Sequence, residues 1–109
     1  MGVPVTTSEN FEGFMITEYK GLVRGIVVRS TSLGKGISEG LTIVLEGKTD
    51  AAYTALAEKS RRQAYDRMVE QASALAANGI IGIRYDSCEI SEFRMEIVCY
   101  GTAVSIEKR

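Results

Sequence analysis

Cys88 and Cys99 are the only thiols in the chain, and thiolates favour zinc, copper(I) and related soft ions. Cys88 lies beside Asp86 and Glu89, whose carboxylates could add oxygen ligands, while Cys99 falls inside an apolar run. A closed structural site needs about four ligands. One chain therefore falls short, and a soft-metal site would need copies of the chain that bring the same residue together near an axis. The plainer reading makes Cys99 a small core residue and Cys88 incidental. Ten residues separate the two cysteines, which is neither a CxxC motif nor a disulfide framework. Reduced thiols in a cytoplasmic protein are the expectation.

The chain has no histidine. That excludes Ser-His-Asp and Cys-His hydrolysis, HExxH zinc sites and Cys/His zinc fingers. Catalysis would have to run on carboxylates, Lys, Tyr or Cys, and no complete catalytic motif is present, so the chain does not read as an enzyme. Asp86, Glu89, Glu92 and Glu96 form the one acidic grouping, which reads as a solvated strand end rather than a pair split for acid–base work. Gly47-Lys48-Thr49 imitates the end of a phosphate-binding loop, but Thr42 stands where that motif needs its first glycine. The stretch from Gly34 to Gly40 misses G-x-G-x-x-G by one residue and reads as a loop. Tyr53 and Tyr65 read as packing residues with bonded hydroxyls.

Charge narrows the partners. With 13 basic and 14 acidic residues the net charge is −1, so nothing draws the chain to nucleic acid or to an anionic membrane. Lys59, Arg61, Arg62 and Arg67 are offset by Glu58, Asp66 and Glu70 and read as a solvated helix face. No stretch reaches the ~18 apolar residues of a membrane span.

These side chains need elements to hold them. The 109 residues suit one domain, 1–109. Val3 and Val5 suggest a short edge strand. Residues 14–18 and 22–29 read as two strands joined by a turn at Tyr19-Lys20-Gly21, with Gly25 marking a bulge or a close backbone approach. Leu41-Thr42-Ile43-Val44-Leu45 fits either a strand or a helical turn, and its nearness to the next helix favours a helical or irregular connector. Residues 50–77 carry apolar side chains at three-and-four spacing, which predicts one long helix. Thr49 or Asp50 would cap its start, and Asn78-Gly79 would stop it. Residues 80–85 are an apolar strand buried on both faces, 86–89 connect onward, and 93–106 form a final strand. From Ile97 that strand is apolar on both sides. The helix can cover one side, and a second subunit is the simplest cover for the other.

The order is strand, strand, helix, strand, strand: an α+β fold of ββαββ order with a long helix on an antiparallel sheet. Its residues resemble those of the YbjQ family of small bacterial and archaeal proteins, which carry a heavy-metal-binding label. The likeness covers nearly the whole chain. It comprises Thr6-Thr7, then Gly13, Ile16, Tyr19, Gly21, Val23 and Gly25, then Gly47, Tyr53, Arg61, Ala64, Ala72 and Leu75. It ends with Ile81-Gly82-Ile83, Asp86 and Tyr100-Gly101-Thr102-Ala103-Val104. One departure is the turn Ala76-Ala77-Asn78-Gly79, where the family commonly has glycine one position after the leucine. The resemblance implies a ring-like homopentamer and a soft metal ion as ligand, and it brings no catalytic residues. Two readings of function follow: a homo-oligomeric soft-metal-binding module using Cys88 and Cys99, or an interaction scaffold with no small ligand.

Overall fold

The computed structural model describes residues 3–30, 49–91 and 94–109, with the backbone alone for 49–53. The expected connector over 31–48, with its two glycine-rich motifs, lies outside the described residues. So do Glu92, Phe93 and the side chains of Thr49, Asp50 and Tyr53.

Four elements follow in order: strand β1 (Phe14–Ser30), helix α1 (Thr49–Ala74), strand β2 (Gly79–Ser91) and strand β3 (Arg94–Lys108). The strands form one antiparallel sheet of order β1-β3-β2, and α1 packs chiefly on β1 and β3. The α+β expectation of a long helix on an antiparallel sheet therefore holds.

The turn expected at Tyr19-Lys20-Gly21 is not a turn. Phe14 pairs with Lys108 and Ser30 with Arg94, so one strand runs through. Register shifts fall between Ile16 and Glu18 and between Tyr19 and Gly21. Gly21, at φ 118°, takes up the second irregularity, in a backbone region open to glycine. A bulge and a turn draw on the same residue types. Here β3 is long enough to pair with both halves of β1, so the chain kinks instead of reversing. Seventeen residues at ~3.3 Å each span about 55 Å, which accounts for the 54 Å long axis of a molecule only 23 × 22 Å across.

The 86–89 stretch, expected as a connector, belongs to β2, whose pairing with β3 runs on to Ser91↔Arg94. At the other end of β2, Val5 bridges Ile80 in parallel, in line with the edge strand expected from Val3 and Val5. Ile80 N–H donates to Pro4 O, Thr6 N–H to Ile80 O, and Ile83 N–H to Thr6 O.

Helix α1 buries a narrow stripe: Ser60, Ala64, Met68 and Ala72, each four residues from the next. The stripe is mostly small, so the helix backbone comes down onto the sheet. A Cβ added at Gly25 would lie 2.0 Å from Ala64 O and 2.6 Å from Met68 N. The close-approach reading of Gly25 is thus the correct one.

The helix ends earlier than expected. Ala77 N–H donates to Ala72 O, Ala76 N–H donates to Ser73 O, and Ala76 sits at φ 63°. That is a Schellman motif with alanine in the left-handed position usually given to glycine. Asn78 serves the sheet instead. Its backbone N–H donates to Val104 O, its Nδ2 donates to Ile106 O at 3.1 Å, and its Oδ1 accepts from Ile106 N at 2.7 Å.

Two apolar clusters result. The larger joins Val23, Val27, Ile97 and Cys99 to the helix stripe. The smaller joins Ile81, Val104 and Ile106, with Phe11 and Ile16 packed against it. Ile80 and Ile81 fall in different clusters, as a strand buried on both faces requires.

Candidate functional site

Alternation along β3 and its register with β2 decide where the two cysteines go. Cys99 pairs with Tyr85, and Cys88 pairs with Glu96. Cys88 lies three positions after Tyr85, an odd step, with no register shift between them. Successive strand side chains point to opposite faces, so the two thiols lie on opposite sides of the sheet.

Cys99 is fully buried on the helix side, its Sγ 3.6 Å from Met68 Sδ. Burial pushes its thiol up, and hydrogen bonding with Tyr85 pulls the other way. This is a packed core cysteine, the plainer of the two readings made from sequence. Tyr85 beside it is raised by burial first, then by the neighbouring Cys99 and Tyr65, against the lowering pull of Arg61.

Cys88 is exposed on the side away from the helix. Its Sγ lies 3.6 Å from Glu96 Oε1. Desolvation, the hydrogen bond to Glu96 and the charges of Glu96 and Asp86 all raise its thiol. Nucleophilic cysteines sit in electropositive surroundings that stabilise the thiolate. Cys88 has the reverse, a setting that disfavours a bare thiolate and favours a cation. The acidic grouping read from sequence divides: Asp86 and Glu96 share the Cys88 face, whereas Glu89 pairs with Met95 on the helix side.

The described residues of one chain do not complete a metal site. Among the described residues no group of three His, Cys, Asp or Glu side chains converges. Cys88 and Glu96 supply two donors, and Cys99 cannot reach them. Sequence reasoning placed Cys88 in a connector and so missed Glu96 as its partner. The missed signal was the short gap between β2 and β3, which sets residues 88 and 96 opposite each other.

The face that carries Cys88 is also apolar. Leu22 is 62% exposed and Val28 52%, and beside them Ile26, Val98 and Tyr100 are only half-buried. Register puts Leu22 against Thr102, Arg24 against Tyr100, Ile26 against Val98 and Val28 against Glu96. No described element of the chain covers this row. Among the described residues no helix is long and apolar enough to cross a membrane.

Comparison with known proteins gives a consistent result. A family model named for YbjQ and described as "Putative heavy-metal-binding" matches residues 3–107. A UPF0145 protein of Legionella pneumophila is 47% identical over 106 residues, covering 97% of this chain and all of the relative. A UPF0145 protein of Saccharolobus solfataricus is 50% identical over 106 residues, covering 97% and 92%. One from Paraburkholderia phymatum is 43% identical over 100 residues, covering 92% and 89%. A crystal structure from Pediococcus pentosaceus, described as a protein with unknown function of the DUF74 family, shares the fold with a TM-score of 0.68. It is 17% identical and covers 98% of this chain and all of its own.

Proposed function

The chain belongs to the YbjQ family, and we propose that it works as a homo-oligomeric module in which soft-cation binding is a property of the assembly. The uncovered sheet face is the subunit contact, and the Cys88 and Glu96 side chains of several copies supply the ligands. The observation that carries this reading is the coincidence on one face of exposed Leu22 and Val28 with the Cys88–Glu96 pair. Covering exposed apolar area stabilises by roughly 25 cal/mol per Å², which gives the face a reason to associate. A metal ion near Cys88 would reverse the local titration, because a coordinating thiol gives up its proton. Cys99 takes no part in this version of the site. A ring of five, implied by the family resemblance, is the assembly we favour.

Native mass spectrometry of reduced protein, with zinc and then copper(I) added, tests both halves. The expected result is a pentamer that takes up metal, loses it on Cys88→Ser, and keeps it on Cys99→Ser. Val28→Glu should dissociate the assembly. A monomeric wild type would overturn the assembly. An assembled protein that takes up neither ion would leave the scaffold reading.

A further inference from the structure

On the other side of the sheet, where the N-terminal half of α1 meets the strands, lies a cavity of about 300 Å³. Its walls are apolar: Leu56 and Ala57 from the helix, Met95 and Ile97 from β3. Ser60 and Ser87 add hydroxyls, and two arginines, Arg29 and Arg61, border it. Arg29 donates through Nε to Ser60 Oγ at 2.9 Å and through Nη2 to Gln63 Oε1, so uncharged partners hold it in place. Arg61 lies 5.8 Å from the centre of the Tyr85 ring. Among the described residues neither guanidinium has a carboxylate in ion-pair range.

Two guanidinium groups with no ion-paired carboxylate among the described residues, beside a hollow with apolar walls, have the composition of a small-ligand pocket. The charge demands an anion, and guanidinium geometry suits a carboxylate or sulfonate. The walls demand an apolar body. At the ~30 Å³ that one water takes up in the liquid, the volume admits about ten non-hydrogen atoms. We propose that this cavity binds a small amphipathic anion, with its head on Arg29 and Arg61 and its tail against Leu56, Met95 and Ile97. The cavity lies across the sheet from Cys88, so this site stands or falls independently of metal uptake.

The test is a methyl-NMR titration of the assembled protein with octanoate and, separately, with 1-octanol, which has the same tail and no charge. Octanoate should shift the Leu56, Met95 and Ile97 methyls and bind about tenfold tighter than octanol, as expected for a charge-assisted hydrogen bond. Arg61→Gln, at an exposed residue whose loss leaves the core intact, should remove that advantage, and Arg61→Lys should restore part of it. Ala57→Phe should fill the hollow and weaken both probes. Equal affinity for octanoate and octanol, an Arg61→Gln protein that binds octanoate as wild type does, or methyls that never shift would each overturn the proposal.

Discussion

The two faces of the sheet are built from the same strands yet obey different constraints. On the helix face, Gly25 lies against the helix backbone at Ala64 and Met68, and Val27, Ile97 and Cys99 join the buried helix stripe. On the other, Leu22, Val28 and Cys88 are exposed, and no described element covers them. The difference teaches that one residue type takes its meaning from strand parity. Cys99 fills the core, and Cys88, which points the opposite way, is the one free to act as a ligand.

The contrast breaks most severely at Gly25. A valine there would press on the carbonyl of Ala64 and force the helix off the sheet. Gly25→Val should cost about 3 kcal/mol, or ~10–20 °C in melting temperature for a domain of this size. Val28→Thr, three residues along on the open face, should stay within about 0.5 kcal/mol in the dissociated chain. Its effect should appear instead as weaker assembly. Urea melts at low and high protein concentration separate the two. If both variants lose stability equally and independently of concentration, the faces are not different in kind.

Asn78 fixes the edge where the two faces join. Its amide gives and takes hydrogen bonds with the Ile106 backbone and so acts as an extra strand residue at the sheet end. Asn78→Ala should cost about 2 kcal/mol, because it leaves backbone groups of Ile106 short of partners. Asn78→Asp should recover the acceptor half alone, and chemical denaturation of the three proteins checks that order.

Much of this was legible in the sequence, and the failures have physical causes. Helix α1 was readable because its apolar spacing is regular and no proline or glycine interrupts it. The close approach at Gly25 was readable because a glycine inside a β-branched run seldom has another purpose. The bulge in β1 was misread because Tyr19-Lys20-Gly21 suits a turn equally well. Only the length of β3, which pairs across both halves, decides between them. The partnership of Cys88 with Glu96 was hidden because it depends on register, and register follows from where the β2–β3 hairpin reverses. Arg29, Ser60 and Gln63 carried no signal at all, since their contact joins residues about thirty apart across two elements.

The helix terminus was misplaced for a further reason, and it yields a gain-of-stability prediction. Asn78-Gly79 looked like the stop because both residues tolerate left-handed backbone, yet the left-handed residue is Ala76. Alanine there bears a steric penalty of ~1–2 kcal/mol, part of which glycine returns through its greater freedom in the unfolded chain. Ala76→Gly should therefore raise stability by about 0.5–1 kcal/mol, read as a higher urea midpoint with an unchanged slope. An unchanged or lower midpoint would mean that the Schellman geometry is unstrained by its alanine.

The smallest expected effect separates the cysteines by pH. Both thiols are raised above the ordinary 9.0, Cys99 chiefly by burial and Cys88 by desolvation together with Glu96 and Asp86. A group raised in the folded state gives stability that is complete below its unfolded pKa and is lost as pH climbs through the folded value. Stability should hold flat to about pH 9 and fall above it. Cys99→Ala should remove part of that fall while lowering stability at neutral pH through the lost contact with Met68. Cys88→Ala should leave the neutral value nearly unchanged, because its side chain is exposed. Thermal melts from pH 7 to 10.5 on both variants read this directly. An alkaline fall that Cys99→Ala leaves untouched would mean that burial does not hold the Cys99 thiol up, and would reverse the reading of the two sides.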